Sequence, residues 1–252
     1  MQFHLLTGVF PDIVEHPIVP FKQRFDWDGG FACIAMVLDH QKRQKFIAYF
    51  RRICAEGDFG EGPSSLDLCY ILKDFNVPHK YLTMTFAGNP EHRFNGCYES
   101  LKRDVARLNF KLQHAKQKGI DVKKCSVNNQ FLIDHLDMHG TIILLTSELM
   151  LFCDLCTPKK RHSESCACQI QPPMYLGCHI VLCGYNGLTQ KFMYRNPLHD
   201  NHVCNIPYQE LDKARKAKGT YEDVILLYNK TPQHKVFRNK DLTTSLAGLR
   251  TN

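Results

Sequence analysis

The architecture of this chain is best inferred from one segment, Gln23-Arg24-Phe25-Asp26-Trp27-Asp28-Gly29-Gly30-Phe31-Ala32-Cys33. From Gly29 onward the apolar residues recur at helical spacing, so the sequence predicts a buried helix that begins there. Asp28 comes directly before this helix and is expected to cap its exposed amide groups. Trp27, the only tryptophan of the chain, stands beside the helix start.

Further helices and strands are predicted outward from this segment by periodicity. Helical patterns cover 45–55, 66–75, 98–116, 127–136 and 208–218. Strand patterns cover 80–86, 141–146, 178–185, 191–195 and 223–228, and Asn186-Gly187 suits a tight hairpin turn. Because helices come mostly first and strands mostly last, we expect an α+β protein with an N-terminal helical part packed on a C-terminal antiparallel sheet.

The composition excludes several classes of protein. With 252 residues, 44% of them hydrophobic, the chain can bury a substantial core and is too apolar to be disordered. Its start lacks a signal-peptide pattern, and no apolar window is long enough to span a membrane. The 12 cysteines are therefore expected to be thiols in a reducing compartment, the cytoplasm or the nucleus.

The formal charge of +7 is concentrated near the carboxyl end. Because no nucleic-acid-binding motif accompanies these basic residues, we expect a solvated helix face and a flexible basic tail at 229–252, with neither nucleic acid nor a membrane as partner. Residues 1–228 are then expected to form a single domain that contains a cysteine-rich insert at 153–168. The sequence leaves the oligomeric state open.

Three sequence blocks resemble a known family. The segment 23–33 is similar to the motif Q-x(3)-W-D-C-G-x-A-C of the guanylyl cyclase domain-containing family, and more distantly to the Q-x(5)-C-G-x-A-C signature of papain-like peptidases that process bacteriocin leaders. Residues 177–186 resemble the family's G-H-F-I-V-L-x-G-Y-N, and residues 194–197 resemble its Y-x-N-P. The resemblance extends over 17–228 and implies a papain-like cysteine peptidase scaffold.

The resemblance also implies the positions of a catalytic site. In papain-like sites a cysteine at the start of a buried helix is the nucleophile, and a histidine activates it. A side-chain amide stabilises the oxyanion, and an asparagine orients the histidine. Carried over by position, Gln23 would be the oxyanion donor, residue 29 the nucleophile, residue 178 the imidazole and Asn196 the orienting residue.

Two of these four positions lack the required side chain. Position 29 is Gly29, which has no nucleophile, and position 178 is Cys178. His179 follows one residue later, so strand alternation predicts that it faces the opposite side of the sheet unless a bulge intervenes. Cys33 lies one turn beyond Gly29, but a thiol displaced by about 6 Å along the helix would miss the oxyanion donors.

A cysteine cluster in the insert indicates a metal site. Cys153 and Cys156 form a CxxC pair, and Cys166 and Cys168 form a second close pair. Four thiolates at such spacing suit a tetrahedral structural zinc ion, which would order an otherwise polar segment. The alternative is a flexible loop of reduced thiols.

Three functions remain open at this point. The broken triad favours a non-catalytic protein that binds a peptide or protein in a degenerate peptidase cleft. The family name implies instead a guanylyl cyclase that forms cyclic GMP from GTP, although the sequence shows neither a phosphate-binding glycine loop nor paired aspartates for a divalent metal. A thiol hydrolase of peptide or isopeptide bonds would need both a corrected histidine register and a nucleophile other than Gly29.

Overall fold

The computed structural model describes residues 12–59, 62–85, 98–151, 153, 156, 177–199, 202–229 and 235–237, with the side chains of 98–102 and 235–237 left out. The predicted zinc ligands Cys166 and Cys168 lie outside the described residues, as does most of the predicted basic tail. Within the described residues the protein is a mixed α+β structure, which confirms the predicted class.

Six α-helices form in the described part of the chain. They are α1 Gly29–Val37, α2 His40–Gly57, α3 Ser65–Asp74, α4 Tyr98–Ala115, α5 Asn129–Met138 and α6 Tyr208–Arg215. Helix α3 begins with a capping box in which Ser64 and Asp67 satisfy each other's backbone amides. Helix α5 is capped by the side chain of Asn128, and the nearby hydroxyl of Ser126 donates to Glu222.

Nine strands of the described residues form one sheet. They are β1 Ile13–Glu15, β2 His79–Thr83, β3 Asp121–Lys124, β4 Ile142–Ser147, β5 Gly177–Asn186, β6 Lys191–Arg195, β7 Cys204–Pro207, β8 Val224–Leu227 and β9 Lys235–Phe237. The order is β3-β2-β8-β4-β5-β1-β9, and β6 joins β5 to β7.

The sheet departs from the predicted arrangement in three respects. It takes β1 and β3, besides the predicted β2, from the N-terminal half of the chain, and β2 and β3 run parallel while the other pairs are antiparallel. The turn at Asn186-Gly187 is also longer than a tight hairpin, because Asn186 pairs with Lys191 across a four-residue connection.

Helices cover both faces of the sheet. On one face α1 packs with α2, α3 and α4 around an apolar cluster that includes Phe31, Phe46 and Val181. On the other face α5 and α6 cover a second cluster that includes Leu132, Ile180 and Leu211. Helix α1 is buried on all sides from Gly30 to Val37, which explains its almost wholly apolar sequence.

None of the described helices is both long enough and apolar enough to cross a bilayer.

Candidate functional site

The loop before α1 is held by Asp28. Its carboxylate accepts hydrogen bonds from the backbone N–H groups of Arg24 and Phe25, each at 3.1 Å. The expectation that Asp28 caps the amide groups of α1 is wrong, since its side chain makes no capping bond to the helix. The carboxylate instead satisfies amide groups of the preceding loop, and it thereby fixes the path of the chain into the site.

Gln23 lies directly over Gly29, the predicted nucleophile position. Its backbone N–H donates to Pro197 O at 2.9 Å, and its side-chain Nε2 donates to Phe25 O at 3.0 Å. A Cβ added to Gly29 would stand only 2.9 Å from Gln23 Oε1. The structure therefore brings together the predicted oxyanion donor and the predicted nucleophile position, and the amide of Gln23 occupies space that a side chain at residue 29 would need.

His179 faces α1 rather than the opposite side of the sheet. Its Nδ1 lies 3.3 Å from the position that a Cβ on Gly30 would take, and its Nε2 lies 3.1 Å from Ser65 Oγ. Cys178 points to the other face, where it belongs to the apolar cluster around Ile180. The expectation that His179 faces away from the helix is therefore wrong, because the cluster beneath α5 and α6 takes the side chain of residue 178.

No bulge is needed for this arrangement. Strand β5 pairs with β4 in unbroken register from Gly177 to Leu182, and its irregularity against β6 comes only between Leu182 and Gly184. The face that His179 occupies is thus set by ordinary alternation from Val181, which packs on the α1 side.

Asn196 is buried, and its side chain accepts a hydrogen bond within its own turn. Its side-chain Oδ1 accepts from Leu198 N at 3.0 Å, and its backbone oxygen accepts from His199 N at 2.9 Å. An asparagine that closes a turn in this way is common in loops. This side-chain hydrogen bond therefore stabilises the connection after β6.

Ser65 is the residue of this site that sequence reasoning missed. It opens α3, is only 2% exposed, and holds His179, which is 9% exposed. In the sequence, Ser65 stands directly before the predicted helix 66–75, and this position indicates no more than a helix start. A contact between residues so distant in the chain has no signature in local sequence.

Cys33 is a poor candidate for a replacement nucleophile. It is a residue of α1 and is fully buried in the core. Burial, with a smaller contribution from Cys178, raises the pKa of the Cys33 thiol well above its ordinary value. A thiol kept protonated in this way is a weak nucleophile, because the reactive species is the thiolate.

Two exposed aromatic rings lie in the loop before α1. Phe25 and Trp27 stack with ring centroids 5.6 Å apart and an interplanar angle of 3°. They are 54% and 42% exposed, and Trp27 also meets the buried ring of Phe31 edge-on at 6.0 Å. Neighbouring exposed aromatic rings of this kind are typical of binding surfaces.

A second cluster of reactive side chains contains three thiols and one imidazole. The ligand atoms of Cys153, Cys156, His202 and Cys204 all lie within 4.8 Å of one another, which is within metal-binding distance. Cys153 and Cys156 were predicted as ligands from their CxxC spacing. His202 and Cys204 were missed, since they follow β6 and approach the CxxC pair only in the folded chain.

Known proteins match this chain over most of its length. A family model described as guanylylate cyclase matches residues 18–227. Guanylyl cyclase 1 of Arabidopsis thaliana is 30% identical over 234 residues, which cover 84% of this chain and 76% of that protein. A solved structure described as a C39-like peptidase from Bacillus anthracis is 14% identical, with a TM-score of 0.35, over 84% of this chain and 96% of that one. From the extent of the family match, the chain belongs to the family described as guanylylate cyclase.

Proposed function

We propose that this chain is a non-catalytic member of its family that binds a peptide or protein segment at the start of α1. The observation that carries this proposal is Gly29, which places no side chain where a papain-like site needs its nucleophile. Gln23 Oε1 lies against that position, so the site contains an amide where a thiol is required. Removing nucleophile function from such a site typically costs several powers of ten in rate.

The neighbouring hydroxyl and thiol are poor substitutes, which argues against the hydrolase alternative. Ser65 Oγ does contact the His179 imidazole at 3.1 Å, as a serine nucleophile would. However, Ser65 is 2% exposed, so a substrate carbonyl could reach it only if α3 moved. Cys33 is fully buried as well, and its raised pKa disfavours the thiolate.

The aromatic stack supplies a surface for binding. Phe25 and Trp27 stack on each other and are both exposed to solvent, within a few residues of Gly29. Burying such rings contributes strongly to binding free energy, because they offer large apolar area with few rotatable bonds. We therefore expect an apolar or aromatic side chain of the ligand to cover this stack.

The names of the matched family model and of the Arabidopsis relative favour a second candidate function, the conversion of GTP to cyclic GMP. Cyclisation requires divalent metal, which carboxylate oxygens usually hold. Among the described residues, the group of three or more donors close enough to share a metal ion consists of thiols and an imidazole, a set that suits other metals. This group therefore offers no carboxylate to the metal that cyclisation needs.

We further propose that the protein works in the cytoplasm or the nucleus, and that zinc is its structural cofactor. None of the described cysteines forms a disulfide bond, as expected in a reducing compartment. Thiolate and imidazole donors are those that structural zinc sites use.

The binding proposal can be tested with random peptides displayed on phage and selected on the purified full-length chain. A selected peptide, made synthetically, should change the fluorescence of Trp27, the only tryptophan. Phe25→Ala should weaken its binding at least about tenfold. Phe110→Ala, which removes an equally exposed ring on α4, is the matched control and should leave binding unchanged. Selected peptides that bind Phe25→Ala as tightly as the wild type would contradict the proposal.

Three activity measurements complete the test. A fluorescent iodoacetamide probe should leave the wild-type cleft unlabelled, and Gly29→Cys serves as the positive control that the probe can enter. The selected peptide should remain uncleaved. Incubation with GTP and Mg²⁺ or Mn²⁺ should yield no cyclic GMP, whereas product that disappears in a cleft variant such as Gln23→Ala would establish the second candidate function instead.

A further inference from the structure

We propose that Cys153, Cys156, His202 and Cys204 are the four ligands of a tetrahedral structural zinc site, which fastens the segment after β4 to the connection between β6 and β7. This proposal is independent of the function proposed for the cleft. It also replaces Cys166 and Cys168 of the ligand set expected from sequence with a histidine and a cysteine from another part of the chain.

The separations of the donor atoms match a zinc tetrahedron. With Zn–S bonds of about 2.3 Å and a Zn–N bond of about 2.0 Å, the edges of a regular tetrahedron measure about 3.8 Å between sulfurs and about 3.5 Å between sulfur and nitrogen. Cys156 Sγ lies 3.6 Å from Cys204 Sγ. His202 Nε2 lies 3.3 Å from Cys156 Sγ and 3.9 Å from Cys153 Sγ. All three distances fall within a few tenths of an ångström of these edges.

The chemistry of the donors selects the metal. Three thiols and one imidazole are soft or borderline ligands, which favour zinc over the magnesium and calcium that oxygen donors prefer. Four protein ligands leave no open position for water or substrate, so the role is structural.

The four proposed ligands are partly or fully buried. Cys204 is fully buried at the start of β7, where it pairs with Tyr194 of β6. Cys153 and Cys156 pack against the apolar cluster beneath α5 and α6, and the N–H of Cys156 donates to Cys153 O at 3.2 Å, as in a CxxC turn. The apolar neighbourhood reduces the contact of the thiols with water and so strengthens their attraction to a cation.

The site is also linked to the cleft. His202 stacks on His199, with ring centroids 6.0 Å apart, and His199 N closes the turn at Asn196. The next residue in that turn, Pro197, accepts the hydrogen bond from Gln23 N. A metal at His202 and Cys204 therefore holds one end of the segment whose other end supports Gln23.

The test is the zinc content of the full-length chain, purified without chelator after expression in zinc-supplemented medium. About one zinc ion per chain is expected. His202→Ala and Cys204→Ser should each lower zinc affinity more than about hundredfold in competition with a chromophoric chelator. His202→Cys should retain the ion, which separates loss of a ligand from loss of folding. Cys125→Ser, at another partly buried cysteine, is the matched control and should bind zinc like the wild type.

Two results would overturn the ligand assignment. One is a chain that binds no zinc, in which case the cluster is only a set of thiol and imidazole hydrogen bonds. The other is a Cys166→Ser/Cys168→Ser variant that loses the ion while His202→Ala keeps it. The link to the cleft has its own measurement, because chelation should accelerate hydrogen exchange of the Asn196, Leu198 and His199 amides at least about tenfold. Unchanged exchange after loss of zinc would contradict that link.

Discussion

His179 Nε2 lies 3.1 Å from the hydroxyl of Ser65, and this contact joins the central strand of the sheet to the first turn of α3. Both residues are buried. The imidazole of His179 thus has a serine hydroxyl beside it in the protein interior. The contact consequently stabilises the packing of α3 on β5.

Ser65→Ala should destabilise the protein by about 1–3 kcal/mol, because it removes a hydrogen-bond partner from a buried imidazole. Urea unfolding measures the change. A double-mutant cycle with His179→Ala should give a coupling free energy of about 0.5–1.5 kcal/mol. Additive effects of the two substitutions would show that the hydroxyl and the ring do not interact.

Gly29→Ala should change the free energy of unfolding by no more than about 1 kcal/mol, since only the rotatable amide of Gln23 must turn away from the new methyl group. Gly184→Ala is the contrasting variant. Its Cβ would lie 2.1 Å from Val14 O, a backbone atom of the adjacent strand, so we expect a loss of about 3 kcal/mol. Equal effects in thermal or urea unfolding would contradict this ranking.

Asp67→Asn should cost about 3–5 kcal/mol, because it leaves two partly buried cations without their shared carboxylate. Asp67 Oδ1 is 2.5 Å from Arg107 Nη1 and 2.6 Å from Lys111 Nζ. Burial alone would raise the pKa of Asp67, but Lys111 and Arg107 outweigh it and the pKa is lowered. The stability from this carboxylate is therefore present above pH 4 and is lost as pH falls further. Asp104→Asn is the control and should cost about 1 kcal/mol or less in the same urea unfolding assay.

Mild acid should destabilise the protein through His135. Burial lowers the pKa of His135 to about 4, and its Nε2 lies 2.9 Å from Leu227 O. Because the unfolded chain takes up this proton near pH 6.5, stability falls as pH drops from about 6.5 to about 4, by up to about 3 kcal/mol. His135→Gln should reduce this loss when urea unfolding is measured at pH 7 and pH 5. An identical loss in wild type and variant would contradict the assignment.

The sequence was sufficient to predict elements whose pattern is local. Helix α1 was predicted from its start at Gly29, and β5 was predicted from its continuous apolar run. The short strands β1, β3, β7 and β9 were missed, because three or four residues carry too little periodicity to distinguish them from loops. Strand β9 lies within the stretch predicted to be a flexible tail and pairs with β1 instead.

The candidate site was predictable only in part, because its contacts are tertiary. The positions of Gln23 and Gly29 follow from one helix start, and they do meet in the structure. The face occupied by His179 depends on which apolar cluster accepts Cys178, and strand alternation alone cannot decide that. His202 likewise approaches the CxxC pair only after β6 and β7 have paired.

Strand β5 carries His179 near its N-terminal end, and its C-terminal end pairs with a strand on each side. From Gly184 to Asn186 it lies between β1 and β6, and both pairs are antiparallel. Gln23, by contrast, belongs to an irregular loop. Native-state fluctuations are larger in such loops than in the middle of a sheet. A ligand that entered beside α1 would therefore meet one wall built on the strand and one built on the loop. Adjustment to different ligands would come mainly from the loop, within the limits that its hydrogen bonds to Asp28 and Pro197 set.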